Sequence, residues 1–234
     1  MIAPVLAVDG PSGAGKGTIC RQVAEQMGWR LLDSGALYRL VAVAAGSHQV
    51  SLDDAPALAG LAARLDVEFA VDDAGGERVL LDGRDVSAKI RTETCGNLAS
   101  QVAALPAVRE ALVTLQHSFR RQPGLVADGR DMGTVIFPDA QAKVFLTASP
   151  EARAQRRYKQ LIEKGFDANL RSLCTEIAER DARDCQREVS PLKPADDALV
   201  VDTTRLSIDQ VVERVILHLR HSLQNGPGDE SGTE

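Results

Sequence analysis

The sequence predicts an α/β fold with a five-stranded parallel sheet and helices on both of its faces. Short apolar runs alternate along the chain with longer segments in which apolar residues recur at helical spacing. Several of these runs are continuously apolar, which is typical of parallel strands that helices cover on both faces. The alternation predicts right-handed crossovers, and ligands of such sheets bind at the carboxyl ends of the strands.

Five apolar runs are predicted to form the sheet, namely Val5–Asp9, Arg30–Asp33, Leu125–Asp128, Lys143–Thr147 and Leu199–Asp202. A first helix is predicted after the first strand, where apolar residues recur at Ile19, Val23, Ala24 and Met27. The clearest of the other predicted helices are Ala36–Ala45, Pro106–Phe119, Pro150–Glu163, Leu170–Glu188 and Ser207–Leu223.

The segment of residues 65–90 departs from this alternation. Val67, Phe69 and Val71 recur at every second position, and Asp72–Gly76 is rich in turn-forming residues. This pattern predicts an antiparallel hairpin inside an otherwise α/β chain. The alternative to a hairpin that serves a binding site is an ordinary surface segment without such a role.

The hairpin divides the predicted chain into a core and an inserted lobe. The lobe covers residues 34–120, and the core covers residues 1–33 and 121–224. The tail of residues 225–234 is expected to be disordered, because it has no apolar residue to anchor it.

Composition excludes several classes of protein. The 234 residues carry a formal net charge of −6, which argues against general binding to nucleic acid or anionic membranes. The sequence predicts neither a membrane span nor a signal peptide. Its four cysteines lie far apart, which favours reduced thiols in the cytoplasm over disulfides or zinc. The scattered histidines give no cluster of metal ligands.

The first predicted strand runs directly into the turn Gly10, Pro11, Ser12, Gly13, Ala14, Gly15, Lys16, Gly17 and Thr18. Glycines let such a turn curl so that successive backbone N–H groups face phosphate oxygens, and the following helix adds its positive dipole end. Lys16 supplies a full charge for the β- and γ-phosphates, and Thr18 carries the hydroxyl that usually directly follows the lysine. The turn predicts a P-loop for a nucleoside triphosphate, with a plain glycine turn as the alternative.

Two further polar motifs follow predicted strands at the same edge of the sheet. Asp33-Ser34-Gly35 follows the second strand, and Tyr38 and Arg39 come next in the predicted helix. Asp128-Gly129-Arg130-Asp131 ends the third strand. Asp128 resembles a Walker B carboxylate that steadies Mg²⁺. Simple helix capping by the serine and a strand-end turn at the carboxylate remain open alternatives.

The helix predicted over Leu170–Glu188 has an apolar stripe that becomes charged without leaving its face. Leu173 and Ile177 belong to the stripe, and the same register continues to Arg180, Asp181, Asp184 and Arg187. Arginines beside a P-loop suit phosphate oxygens, because the guanidinium group is planar, bidentate and always charged. A solvated helix with local ion pairs is the alternative.

Five segments together resemble bacterial cytidylate kinases of the long-insert type. They read GPSGAGKGT (10–18), LDSGALYR (32–39), SQVAALPAVREAL (100–112), ADGRDMGTVIFPD (127–139) and ERDARD (179–184). The resemblance implies a P-loop kinase fold with an inserted monophosphate-binding lobe and a short lid at residues 150–190. It also implies transfer of the γ-phosphoryl group of ATP to CMP or dCMP, with Mg²⁺ as cofactor.

The resemblance also implies a role for each matching residue. ATP would bind to the P-loop, and the catalytic residues would be Lys16, Arg153 and Arg157. The acceptor phosphate would lie among Ser34, Arg39, Arg130 and Arg187, with Tyr38 beside them. Cytosine would contact Ser100, Arg109 and Asp131, and the sugar would contact Arg180 and Asp184. The metal would lie near Thr18 and Asp128, directly or through water. Cys185 stands where relatives are expected to carry a basic residue.

Rival functions stay open from the sequence. A monophosphate kinase for AMP or UMP would share the scaffold, and a P-loop switch or motor would share the loop. No NKxD motif for guanine is present, and a non-catalytic sensor would not need Lys16 with this set of arginines. ATP and CMP or dCMP are the expected partners of a cytoplasmic monomer that binds neither nucleic acid nor membrane.

Overall fold

The computed structural model describes residues 2–71, 77–163, 165 and 167–225. In chain order its elements are β1 (Val5–Asp9), α1 (Lys16–Met27), β2 (Arg30–Asp33), α2 (Ser34–Ser47), α3 (Ala55–Ala62), β3 (Val67–Val71), β4 (Glu77–Leu81), β5 (Arg84–Asp85), α4 (Ser87–Ile90), α5 (Glu93–Val102), α6 (Pro106–Ser118), β6 (Leu125–Gly129), β7 (Ala142–Thr147), α7 (Pro150–Glu163), α8 (Leu170–Gln186), β8 (Leu199–Asp202) and α9 (Ile208–Gln224). A π-helical turn covers Met132–Ile136.

The chain forms two compact units. The larger contains Met1–Asp33 and Ser118–Glu234, and the smaller contains Ser34–His117. The tail from residue 226 onward lies outside the described residues, so its expected disorder stays a prediction.

The larger unit is built on the predicted five-stranded sheet. Its strands follow the order β2-β6-β1-β7-β8, and every neighbouring pair is parallel. All five predicted strands are confirmed, and β6 and β7 are each one residue longer than predicted. The central strand β1 is buried along its whole length, as its continuous apolar run indicates.

The core of the larger unit lies between the sheet and two helices. Apolar side chains of β1, β6 and β7 pack with one face of α1 and one face of α9. The apolar residues of α1 include Ile19, Val23 and Ala24, as predicted from their spacing. Helix α9 begins with a capping box, in which Ser207 and Gln210 each accept a hydrogen bond from the other's backbone N–H.

The smaller unit contains a three-stranded antiparallel sheet and helices. Strand β4 lies between β3 and β5, with Val67 opposite Leu81. The predicted hairpin strands are therefore present, while the predicted turn at Asp72–Gly76 lies outside the described residues. Helices α3 and α5 were not predicted, although side-chain caps at Asp54 and Thr92 mark their starts.

Among the described residues, no single helix is long and apolar enough to cross a membrane. One pair of helices, α5 and α6, reaches that length and composition together, but the two are bent by 103°.

Gly124, which directly precedes β6, allows Trp29 to pack closely in the larger unit. A methyl group at Gly124 would lie 2.3 Å from the nearest indole carbon of Trp29. We therefore expect Gly124→Ala to overpack the core and to lower the free energy of unfolding by about 1–3 kcal/mol. Urea denaturation measures this change. Gly46→Ala in α2 is the control, since no atom lies within 4 Å of its added methyl group. Equal free energies of unfolding for the two variants would contradict the close packing of Trp29 on Gly124.

Candidate active site

The P-loop has a backbone that glycine alone adopts easily. Gly10 has a φ of 148°, and a Cβ there would lie 2.0 Å from the backbone oxygen of Leu146. Gly15, which precedes α1, has a φ of 94° in the left-handed region. The loop therefore turns sharply from the end of β1 into the first turn of α1, whose N–H groups have no partner within the helix.

Lys16 is a buried cation at the start of α1. Its Nζ donates to the backbone oxygen of Pro11 at 3.1 Å and lies 3.8 Å from Oδ1 of Asp128. Burial and, to a lesser degree, the nearby charge of Arg130 lower the pKa of Lys16 to about 8, against the attraction of Asp128. An anion placed beside this ammonium group would stabilise its charged form.

Asp128 lies beside position 17 of the P-loop. A Cβ at Gly17 would be 3.7 Å from Oδ2 of Asp128, whereas Thr18 is exposed on the next position of α1. Among the described residues, no group of three or more His, Cys, Asp or Glu side chains could hold a metal ion. Mg²⁺ in kinases takes most of its ligands from water and phosphate, so a single carboxylate such as Asp128 could orient it.

Arg130, which follows β6, is oriented by a carboxylate of α8. Its Nε donates to Oδ2 of Asp184 at 2.9 Å, and Nη1 donates to the oxygen of Gly129 at 3.2 Å. Burial alone would raise the pKa of Asp184, but Arg130, Arg180 and Arg187 outweigh it and lower that pKa. Burial alone would likewise lower the pKa of Arg130, and Asp184 reverses this shift. Both groups are therefore held in their charged forms.

The charged continuation of the α8 stripe lies in the interior of the larger unit. Asp184 and Arg187 are buried, and Arg180 is half-buried, on the side predicted from Leu173 and Ile177. Nη2 of Arg187 donates to the oxygen of Ser190 at 2.9 Å. The alternative of a solvated helix face is therefore wrong for this part of α8.

Asp131 is buried and directly precedes the π-helical turn, which Asp9 holds from β1. Asp9 Oδ1 accepts from the N–H of Met132 and Oδ2 accepts from the N–H of Gly133, each at 2.8 Å. Burial raises the pKa of Asp9 to about 7, against the opposing effect of these two donors. Both carboxylate oxygens of Asp9 are thus used in holding the backbone next to Asp131.

Arg153 lies against the P-loop, and each of its three guanidinium nitrogens donates a hydrogen bond. Nε donates to the oxygen of Ala148, and Nη1 donates to the oxygen of Ser12 at 3.0 Å. Nη1 and Nη2 also donate to the two carboxylate oxygens of Asp181. This buried arginine ties the P-loop to α7 and α8. Arg157, one turn further along α7, lies nearer the surface and donates to Gln160.

A second arginine of α7 contacts the P-loop through a threonine. Arg156 donates from Nη1 to Oγ1 of Thr203, which donates in turn to the oxygen of Ala14 at 3.1 Å. Thr203 is buried directly after β8. The P-loop backbone is therefore held at Ser12 by Arg153 and at Ala14 by Thr203.

The predicted site residues of the smaller unit lie on α2, α5 and α6. The guanidinium carbon of Arg109 lies 5.6 Å from the ring centroid of Tyr38, a cation–π geometry, and Nη1 of Arg109 donates to the oxygen of Ala103. Ser34 and Ser100 are buried. Arg39 donates from Nη1 to the oxygen of Ile90 at 3.0 Å. Within this unit the structure thus pairs Tyr38 with Arg109.

Sequence reasoning missed three residues that organise the site, namely Asp9, Asp181 and Thr203. Asp9 was visible only as the polar end of an otherwise apolar strand, and Asp181 only as part of the charged stripe. For Asp9 the available signal was a polar residue that ends a buried strand beside a P-loop, and for Thr203 it was a polar residue directly after a strand of the same sheet.

A glycine loop with a buried lysine, at the carboxyl edge of a parallel sheet and surrounded by arginines, defines a P-loop kinase. The family model described as cytidylate kinase matches residues 6–221. The chain is 60% identical over 222 residues to a cytidylate kinase of Aeromonas hydrophila, covering 95% of this chain and 96% of that protein. It is 61% identical over 216 residues to a cytidylate kinase of Pseudomonas paraeruginosa, covering 92% and 94%.

The chain therefore belongs to the cytidylate kinase family, and it is an ATP-dependent nucleoside monophosphate kinase. Among solved structures, it matches a gluconokinase from Sinorhizobium meliloti 1021 with a TM-score of 0.47 and 14% identity, covering 96% of this chain and 95% of that one. Similarity at that level has no bearing on function.

The lowered pKa of Lys16 predicts a proton uptake when ATP binds. Above pH 8 the ammonium group loses its proton in the ligand-free protein, and the phosphates of ATP restore it. We expect calorimetry at pH 9, in buffers of different ionisation enthalpy, to show uptake approaching one proton per ATP and an affinity that falls as pH rises. Lys16→Arg should show neither effect, because arginine stays charged. Equal proton uptake in both proteins would contradict the assignment.

Proposed function

We propose that the buried charges of the larger unit carry out the reaction of this family, transfer of the γ-phosphoryl group of ATP to CMP or dCMP. The products are ADP and CDP or dCDP. The observation that supports this most strongly is the pair of oriented cations at one sheet edge, Lys16 at the P-loop and Arg130 held by Asp184. Both follow strands that are hydrogen-bonded to each other, β1 and β6.

The acceptor in this reaction needs no general base. The second pKa of a phosphate monoester is about 6, so at neutral pH CMP is mostly a dianion and already a nucleophile. The difficulty is to bring two polyanions together and to stabilise the charge that spreads over the moving phosphoryl group. Fixed cations and correct positioning therefore supply the acceleration, which suits a site of arginines and one lysine.

On the donor side, the P-loop amides and Lys16 hold the β- and γ-phosphates of ATP. Lys16 is already desolvated, so its charge acts on the phosphates at full strength. Mg²⁺ is the proposed cofactor, and it would neutralise charge on the donor phosphates when bound. Asp128 would orient it, and Thr18 would offer its hydroxyl to phosphate or to metal-bound water.

On the acceptor side, the proposed ligands of CMP are the residues of each unit that match the motifs of the family. In the larger unit, Arg130 and Arg187 bind the phosphate, Asp131 binds cytosine, and Arg180 and Asp184 bind the sugar. In the smaller unit the proposed ligands are Ser34, Tyr38, Arg39, Ser100 and Arg109. Because Asp184 already binds Arg130 through Oδ2, it would link the sugar and phosphate ligands.

Arg153 and Arg157 are proposed to act from α7, which together with α8 forms the proposed lid. Arg153 bonds Asp181 and the Ser12 oxygen, so it can place positive charge beside the P-loop while bracing it. Arg157 is more exposed and is proposed to close over the phosphates. Closure would exclude water, which would otherwise hydrolyse ATP.

The function is tested by a coupled assay with ATP and each monophosphate in turn. CMP and dCMP are expected to be phosphorylated far faster than UMP, AMP or GMP. Lys16→Met is the matched inactive control, with kcat expected to fall about 10²-fold or more while the fold is kept. Preference for another monophosphate, or ATP hydrolysis without transfer, would refute the proposal.

We further propose that the enzyme acts as a cytoplasmic monomer without nucleic acid or membrane partners.

Asp131 is proposed to select cytosine over uracil. Its carboxylate accepts from the N4 amino group of cytosine, whereas uracil would present a carbonyl oxygen to it. Arg109 would donate to N3 or to the 2-carbonyl oxygen. A polar group left unpaired in a buried site can reject an analogue strongly, and Asp131 is 2% exposed.

We expect Asp131→Asn to narrow the ratio of kcat/KM for CMP over UMP by at least about tenfold, or ~1.4 kcal/mol, because the amide can also donate. Steady-state kinetics with both substrates measure this ratio. Asp139→Asn is the control, since Asp139 is exposed and pairs with Arg120 at 2.7 Å. If the ratio is unchanged in a folded, active Asp131→Asn protein, Asp131 does not discriminate cytosine from uracil, and Ser100 and Arg109 become the candidates for that role.

A further inference from the structure

Asp9 connects two loops of the site through a single buried carboxylate. It is the last residue of β1 and directly precedes Gly10, the first residue of the P-loop. Its two oxygens accept from the N–H groups of Met132 and Gly133, each at 2.8 Å. These are the two residues that directly follow Asp131 in the sequence. One side chain therefore joins the start of the ATP loop to the loop that carries Arg130 and Asp131.

The two N–H groups need this acceptor. They belong to the first turn of the π-helical segment Met132–Ile136, where amides have no acceptor within the helix. At the other end of that turn, the N–H groups of Val135 and Ile136 both donate to the backbone oxygen of Asp131. Asp131 is thus restrained in two ways. Its backbone oxygen accepts from the turn, and the two N–H groups that follow it in the chain donate to Asp9.

Close packing adds to this restraint. A Cβ at Gly133 would lie 3.2 Å from side-chain carbons of Lys143 and 3.5 Å from the Cβ of Ala7. The turn therefore sits directly on β1 and β7, in contact with Ala7 and Lys143. The ladder between β1 and β6 aligns Asp9 with Gly129, so the segment from Gly129 to Gly133 is fixed at both ends.

We infer that Asp9 is a positioning residue for acceptor recognition, which sets the place of Arg130 and Asp131 relative to the P-loop. This inference rests on the proposed function. Asp9 touches neither substrate in this account, and it acts only through the backbone of residues 132 and 133. Two hydrogen bonds to the two oxygens of one side chain, in a buried setting where hydrogen bonds are stronger than in water, hold the turn in a fixed place. Displacement of a binding group by about 1 Å can lower turnover by about 10²-fold.

The test is Asp9→Asn in the full-length chain. The amide has the same shape, but only its oxygen can accept, so one of the two N–H groups faces an NH₂ donor. We expect kcat/KM for CMP to fall at least about thirtyfold, while KM for ATP changes less than about threefold. The ratio of kcat/KM for CMP over UMP should fall as well, because the displaced residue reads the base.

Asp202→Asn is the matched control, because Asp202 also ends a strand of the same sheet and accepts from a backbone N–H at 2.8 Å. It should retain the kinetic constants of the unmodified enzyme. A merely structural role for Asp9 would instead lower stability and reduce activity toward both substrates equally. A direct electrostatic effect of Asp9 on Lys16 would raise KM for ATP. Either result, or unchanged kinetics, would overturn the inference.

If Asp9→Asn fails to fold, Gly133→Ala tests the same contact from the other side. Its added methyl group would lie 3.2 Å from side-chain carbons of Lys143, which is tighter than an ordinary contact, so the turn or the Lys143 side chain has to shift by a few tenths of an ångström. The expected result is the same selective loss of CMP recognition, and an equal loss for ATP would overturn the inference. Failure of the proposed function is distinguishable, since the unmodified enzyme would then not phosphorylate CMP.

Discussion

The parallel pairing of β1 with β6 is the constraint on which the rest of the site depends. This ladder sets Val8 opposite Asp128 and Asp9 opposite Gly129. Both strands therefore end at the same level, and the P-loop and the Arg130–Asp131 loop leave the sheet side by side. The strands are buried, so the pairing is stabilised by apolar packing that does not depend on any ligand. Rigid strands thereby fix the origin of the loops that bind both substrates.

Burial gives the charges at this edge their chemical effect. Lys16 is buried and the side chain of Arg130 is 19% exposed, so each cation acts more strongly on phosphate than it would in water. Such charges are stable only when partners compensate them, and Asp128 and Asp184 are those partners. The lowered pKa of Lys16 shows that this compensation is incomplete before ATP binds. A polyanionic ligand completes it, so the same residues that destabilise the empty site favour binding.

Much of this arrangement could be predicted from the sequence, because it rests on local patterns. The apolar run Val5–Asp9 and the glycines after it determine a strand, a turn and a helix within a few residues. The contacts that orient the charges could not be predicted. Asp184 had a local candidate partner in Arg180, yet it accepts from Arg130, 54 positions away. Asp9 binds backbone N–H groups 123 and 124 positions away, which no side-chain pattern reveals. Such pairs depend on the three-dimensional crossing of strands.

The central claim is that the β1–β6 edge couples the ATP loop to the loop that reads the acceptor base. A double-mutant cycle between Asp9→Asn and Asp131→Asn, with the ratio of kcat/KM for CMP over UMP as readout, tests it most directly. If Asp9 acts through Asp131, its substitution narrows the ratio in the unmodified enzyme and leaves it unchanged in the Asp131→Asn background. An equal narrowing in both backgrounds would show that the two residues act independently, and it would contradict the claim.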